Sequence, residues 1–214
     1  MCGRYAIAVT KDVLEKTFKA KMKGSFKPRY NAAPTQMLPI ILNENPKEII
    51  KAKWGLIPSW AKDEKIGNKL INARSETVVE KPAFKSSFNK RRCLVLTTGF
   101  FEWKKIKSEK QPYYITVKDS EPFAMAGIWS KWKDKSKTIR SFTILTGKPN
   151  SLASKIHDRM PIILKKENYS KWLNTPETAK KVITIFPASK MNSFPVSKSV
   201  NIPANDKPEV IKKV

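Results

Sequence analysis

Fifteen prolines but only seven glycines punctuate this chain of 214 residues, and the apolar runs between them are short. Proline breaks a helix interior, so runs cut this often cannot assemble into long helices. Brief runs bounded by turn residues read as strands. The pattern predicts a β-rich α+β fold with irregular connections.

In chain order, residues 3–9 alternate as a first strand. Residues 11–21 predict a short helix, with Thr10 as its N-cap and Val13, Leu14 and Phe18 on one face. Residues 22–35 read as loop, and 37–42 with 49–54 as a hairpin across 43–46. A polar loop covers 58–70, and 76–88 is helical in part, interrupted by Pro82. Strands follow at 93–104, 112–117, 123–129 and 141–146, then a short helix at 150–156 and a strand at 161–164. Brief helices at 166–173 and 176–181 precede a mixed tail from Ile183. No repeat or linker divides the chain. The expectation is one domain over 1–214, with a curved, barrel-like antiparallel sheet and short peripheral helices.

Several function classes drop out. There are two cysteines and one histidine, so neither a disulfide framework nor a zinc site is expected, and no cofactor is called for. Cys93, within an apolar run, reads as an inert core residue rather than a partner for Cys2. No stretch approaches the roughly 18 apolar residues of a membrane span, and the N-terminus lacks a signal-peptide core. The chain is expected to be a cytoplasmic monomer.

The net charge is +25, from 43 basic and 18 acidic residues, which favours a polyanionic partner, nucleic acid first. Lysine is spread along the whole chain, whereas only seven basic residues are arginine. The planar guanidinium grips phosphate bidentately, so Arg4, Arg74 and Arg159 carry more information than the lysines.

Cys2 follows the initiator methionine directly. Removing Met1 would leave an α-amine (pKa about 7.7–8.0) and a thiol (about 8.5) on adjacent carbons. Such a 1,2-aminothiol condenses with an aldehyde to an imine, and the sulfur then closes a five-membered thiazolidine. No internal cysteine can do this. The plain alternative is a small apolar residue packed at a chain end.

Four segments put polar residues where packing alone would not. Cys2 and Arg4, two apart on a strand, share a face, as do Asn72 and Arg74. Glu102 interrupts the apolar run 99–103; it either faces solvent or, buried beside Phe101 and Trp103, acquires a raised pKa suited to proton transfer. His157, in the turn 157–159, is either a structural hydrogen-bonder or a catalyst.

Together the motifs Met1-Cys-Gly-Arg-Tyr5, Tyr30-Asn-Ala-Ala-Pro-Thr35, Trp54-Gly-Leu-Ile-Pro-Ser-Trp60, Ile71-Asn-Ala-Arg-Ser-Glu76, Gly99-Phe-Phe-Glu-Trp-Lys104 and Ile156-His-Asp-Arg-Met-Pro161 occur in order. This set resembles the SOS response-associated peptidase (SRAP) family, and the segments 194–197 and 200–205 resemble its C-terminal part. The resemblance implies a β-rich domain with a basic groove for single-stranded DNA, and capture of abasic sites as a thiazolidine crosslink through the N-terminal cysteine. It implies Cys2 as nucleophile, Asn72 as the group holding the cysteine backbone and the sugar, and Glu102 as proton shuttle. His157 would hydrogen-bond the opened sugar or a flanking phosphate and act as general acid. Arg4, Arg74 and Arg159 would grip phosphates, and Pro34 and Trp60 would stack on or wedge against bases. Ala61-Lys62 stands where some members carry a second aromatic, which weakens the wedge.

The chief competing reading is a cysteine peptidase with Cys2 as nucleophile and Glu102 or His157 as base. A single-strand binder with an incidental Cys2 is another, as is a scavenger of small aldehydes.

Overall fold

A computed structural model describes residues 2–119, 122–134 and 137–214. The first half of the chain forms β1 (Arg4–Ile7), α1 (Lys11–Phe18), β2 (Lys21–Met22), β3 (Arg29–Ala32), β4 (Met37–Leu42), β5 (Glu48–Trp54), β6 (Asn72–Arg74) and α2 (Lys85–Lys90). The second half forms β7 (Arg92–Thr97), β8 (Gly99–Ile106), β9 (Glu109–Val117), β10 (Phe123–Asp134), β11 (Lys137–Gly147), β12 (Met160–Pro161), β13 (Ile163–Leu164), α3 (Tyr169–Asn174), α4 (Pro176–Lys181) and β14 (Met191–Pro195). This is the α+β, barrel-based architecture expected.

The order β11-β10-β7-β4-β5 runs antiparallel, and β5 then meets β11 in parallel, Ser141 opposite Lys53 and Phe142 opposite Trp54, closing a five-stranded barrel. A purely antiparallel sheet was expected. Five strands that alternate in direction leave the first and last pointing the same way, so the closing seam between β5 and β11 is parallel. Trp54 stacks on Phe142 (6.4 Å) and tilts against Tyr5 (5.0 Å), filling that seam.

A second sheet, β14-β9-β8-β1-β3, carries the N-terminal strand at its interior. The single strand expected over 93–104 is two strands in different sheets. The chain crosses at Thr98, where Thr97 Oγ1 donates to Ala6 O (2.9 Å) and accepts from Gly99 N (3.1 Å). A Cβ on Gly99 would lie 2.4 Å from the Tyr114 ring, so only glycine fits the corner.

Other differences are tertiary in origin. The presumed loop 22–35 contains β3, whose Tyr30 and Asn31 N–H groups donate to Asp206 Oδ1 (2.6 and 2.8 Å). Its anchor is thus 175 residues away. Thr10 occupies the N-cap of α1 but makes no side-chain cap bond there, whereas Thr175 forms a capping box with Thr178 on α4. Arg92, buried, donates to the carbonyls of Phe88, Asn89, Trp172 and Asn174, tying the ends of α2 and α3 together.

Candidate active site

Cys2 precedes β1, so the same-face argument for Cys2 and Arg4 applies to an extended lead-in and not to a strand. Its side chain is fully buried. β1 is held on both sides. Tyr5 faces Ala32 on β3 and Arg4 faces Phe101 on β8. Carrying the β8 register one residue toward the N-terminus puts Gly3 opposite Glu102, while β3 ends at Ala32.

Asn72, at the start of β6 opposite Ile144, donates from Nδ2 to Cys2 O at 2.8 Å. Its Oδ1 is buried and accepts no hydrogen bond among the described residues. Glu102 is 3% exposed, which decides between its two possible faces. Burial, the main cause, raises its pKa to about 7. Burial likewise pushes the Cys2 thiol far up, and the negative field of Glu102 adds to that.

His157 Nε2 lies 3.9 Å from Glu102 Oε2, too far for a direct hydrogen bond. Its Nδ1 accepts from Arg159 N (3.0 Å) and lies 2.8 Å from Asp158 Oδ1. Nδ1 thus sits between the Arg159 N–H and the Asp158 carboxylate, while Nε2 faces Glu102. Burial lowers the His157 pKa, which favours the neutral ring. Glu102 and His157, with Trp103, Lys110 and Asn201, line an open cleft of about 560 Å³.

Two of the three arginines singled out are held by internal partners. Arg4 Nη1 donates to Asn31 Oδ1 and Val200 O, both at 2.7 Å. Arg159 makes a bidentate pair with Glu76 (2.7 and 2.8 Å) and donates to Thr146 O. The Arg159 guanidinium holds Glu76 down at about 2. Arg74 is exposed, opposite Thr146 on β11. Pro34 sits in the turn after β3, pinned by Thr35 N donating to Trp54 O (2.8 Å). Trp60 is 61% exposed, and Ala61 beside it accepts from buried Trp132 Nε1 (2.7 Å). Trp60 is thus a surface ring on a braced turn.

The sequence argument did not single out Asn31, Lys110 or Asn201. Asn31 is fully buried and donates from Nδ2 to Val200, Ile202 and Asn205 carbonyls while holding Arg4. Its only signal was its place inside the quoted Tyr30 motif. Asn201 accepts from Trp103 Nε1 (2.8 Å), and Lys110 had no local signal at all. Among the described residues no cluster of potential metal ligands exists, and no helix is long and apolar enough to cross a membrane.

A β-barrel flanked by a second sheet, with the buried Cys2 thiol, an amide, a carboxyl group and an imidazole brought to one region, defines the α+β fold and its candidate site. Residues 1–203 match the family described as SOS response associated peptidase (SRAP), and the chain belongs to that family. It is 40% identical to the abasic site processing protein YoqW of Bacillus subtilis (strain 168), over 99% of each chain. It is 33% identical to the abasic site processing protein HMCES of Xenopus tropicalis, over 98% of this chain and 77% of that one. A crystal structure of a protein from Bacteroides thetaiotaomicron superposes over the full length of both chains with a TM-score of 0.92 at 29% identity.

Proposed function

We propose that this protein captures abasic sites in single-stranded DNA as a covalent thiazolidine on Cys2, once Met1 is removed. The observation that carries the proposal is the 2.8 Å bond from Asn72 Nδ2 to the Cys2 carbonyl, beside a carboxyl group poised to titrate near neutrality. The relatives named as abasic site processing proteins point to the same substrate.

The steps balance without a cofactor. The ring-opened sugar presents an aldehyde. The Cys2 amine adds to its carbonyl carbon, and the carbinolamine loses water to give the imine. Protonated Glu102 supplies the proton that the departing hydroxyl needs. Because burial keeps the thiol protonated, sulfur attacks only as its proton leaves for the carboxylate. The sulfur lone pair forms the new C–S bond, the C=N π electrons move onto nitrogen, and the nitrogen takes the proton back from the Glu102 carboxyl group. Asn72 holds the backbone of the nucleophile, and its Oδ1 is an acceptor for the amine or a sugar hydroxyl. His157 hydrogen-bonds the opened sugar through Nε2, in the gap toward Glu102. Arg74 takes a flanking phosphate directly, Arg159 takes one in exchange for Glu76, and Arg4 acts from its place beside Asn31. Pro34 and Trp60 meet neighbouring bases. Such binding is strongly salt-dependent and indifferent to sequence.

A peptidase needs a thiolate paired with a base. The upward shift of the Cys2 thiol and the adjacent negative field weigh against that alternative.

The test is incubation of processed protein with an oligonucleotide bearing one abasic site. A heat-stable adduct on a denaturing gel, of the mass of protein plus DNA minus water, is expected. Cys2→Ala should abolish it. Adduct formation by Cys2→Ala, or none by the wild type, overturns the proposal.

A further inference from the structure

Beside the reactive cleft lies a second trough of about 450 Å³, which none of the roles above employs. Its lining includes Lys104, Tyr113, Ser151, Lys155, Ile156 and Ser193. The two hollows share their wall: Lys104 follows Trp103 of the cleft, and Ile156 precedes His157.

The strand register gives this adjacency a direction. Glu102 on β8 pairs with Tyr113 on β9, and Tyr113 pairs with Pro195 on β14. Directly paired residues share a face, and so do residues two apart, which brings Glu102, Tyr113 and Lys104 together. Across the sheet the row therefore reads Gly3, Glu102, Tyr113, with β3 and the turn that holds Pro34 on the other side of β1. Neighbouring strands are about 4.8 Å apart, so Tyr113 lies about 10 Å from the N-terminal strand, on the side away from Pro34. The volume falls in the range of small-ligand sites. The trough offers a half-buried aromatic ring, two ammonium groups and serine hydroxyls. Ring and cations together are what a nucleotide's base and phosphate require.

We propose that this trough seats the nucleotide directly attached to the abasic sugar on one side, with Tyr113 against its base and Lys104 and Lys155 at its phosphate. The inference rests on the function proposed above and adds a polarity to it. The strand crosses the sheet along the row, and its two arms meet different surfaces. One arm reaches Pro34 and Trp60, and the other reaches Tyr113.

The experiment uses two oligonucleotides carrying a stable tetrahydrofuran abasic analogue, one with nucleotides only 5′ of it, the other only 3′. Affinity is read by fluorescence anisotropy, without any covalent step. Tyr113→Ala should weaken one of the two by about tenfold and the other by less than about twofold, while Tyr113→Phe stays near wild type. Lys104→Ala with Lys155→Ala, one half-buried and one exposed, should lower the salt slope of the same oligonucleotide by about 1.4 and keeps the test valid should Tyr113→Ala misfold. Equal weakening of both arms, or of neither, overturns the inference. Because Cys2→Ala protein gives the same readout, failure of the crosslinking chemistry leaves this measurement standing.

Discussion

The closed barrel and the second sheet are built from similar strands, yet they treat polar groups in opposite ways. In the barrel, Trp54, Phe142, Ile144, Val95 and Ile128 are fully buried, and the buried hydroxyl of Ser141 accepts a backbone N–H. The second sheet buries a carboxyl, Glu102, and tethers Arg4 and Asn31 beneath the C-terminal segment. The barrel strands bury no carboxylate, since Glu48 and Asp134 stand at strand ends outside the core, and buried Arg92 directs its guanidinium to four backbone carbonyls. The second sheet gives up stability to hold a titrating carboxyl group near the buried Cys2 thiol. Under the function proposed above, the chemistry lies in the less apolar of the two sheets.

That contrast can be broken most forcefully from the barrel side. Trp54→Ala removes a ring packed on Phe142 and Tyr5 and should destabilise by about 3–5 kcal/mol in urea unfolding. A loss under about 1 kcal/mol would mean the seam is not the structural anchor.

Glu102 should behave in the reverse manner. Its folded pKa of about 7 lies above the ordinary 4.5, so the native state binds more protons than the unfolded state between those values. Stability is therefore lost as pH rises through that window, by about 2–3 kcal/mol in the unprocessed chain. Glu102→Gln should flatten this dependence and stabilise the protein at neutral pH while slowing adduct formation. Stability that instead rises with pH over the window, with the Gln variant unchanged, would refute the assignment.

Asn31→Ala should cost about 1–3 kcal/mol, because three carbonyls and the Arg4 guanidinium lose a buried partner. It tests whether the second sheet depends on its polar ties as the barrel depends on rings. The smallest effect is expected from Glu76→Gln. The Glu76 side chain is 42% exposed, so solvent screening limits the loss of its Arg159 pair to less than about 1 kcal/mol. The Glu76 pKa is depressed, so what stability the pair gives is present above pH 4.5 and disappears as pH falls toward about 2. Thermal unfolding at pH 7 against pH 3 distinguishes the variant from wild type.

Much was legible in the residues themselves. The hairpin of β4 and β5, the helix α1 and the β-rich class follow from local periodicity and proline placement, which act over a few residues. The penultimate position of Cys2 is likewise a property of the chain order, and its 1,2-aminothiol potential needs no fold to be recognised. What local spacing could not supply was the corner at Thr98, the strand hidden in 29–32, and the parallel seam between β5 and β11. Each depends on partners far along the chain: Ala6, Asp206 and Phe142 respectively. The state of Glu102 was equally out of reach. Alternation offers a strand residue two faces, and only the β1–β8–β9 register, with the segments packed over it, chose the desiccated one and moved its pKa. Order along the chain sets which reactive groups exist; burial and electrostatics, which are properties of distance in space, decide in which protonation state they stand.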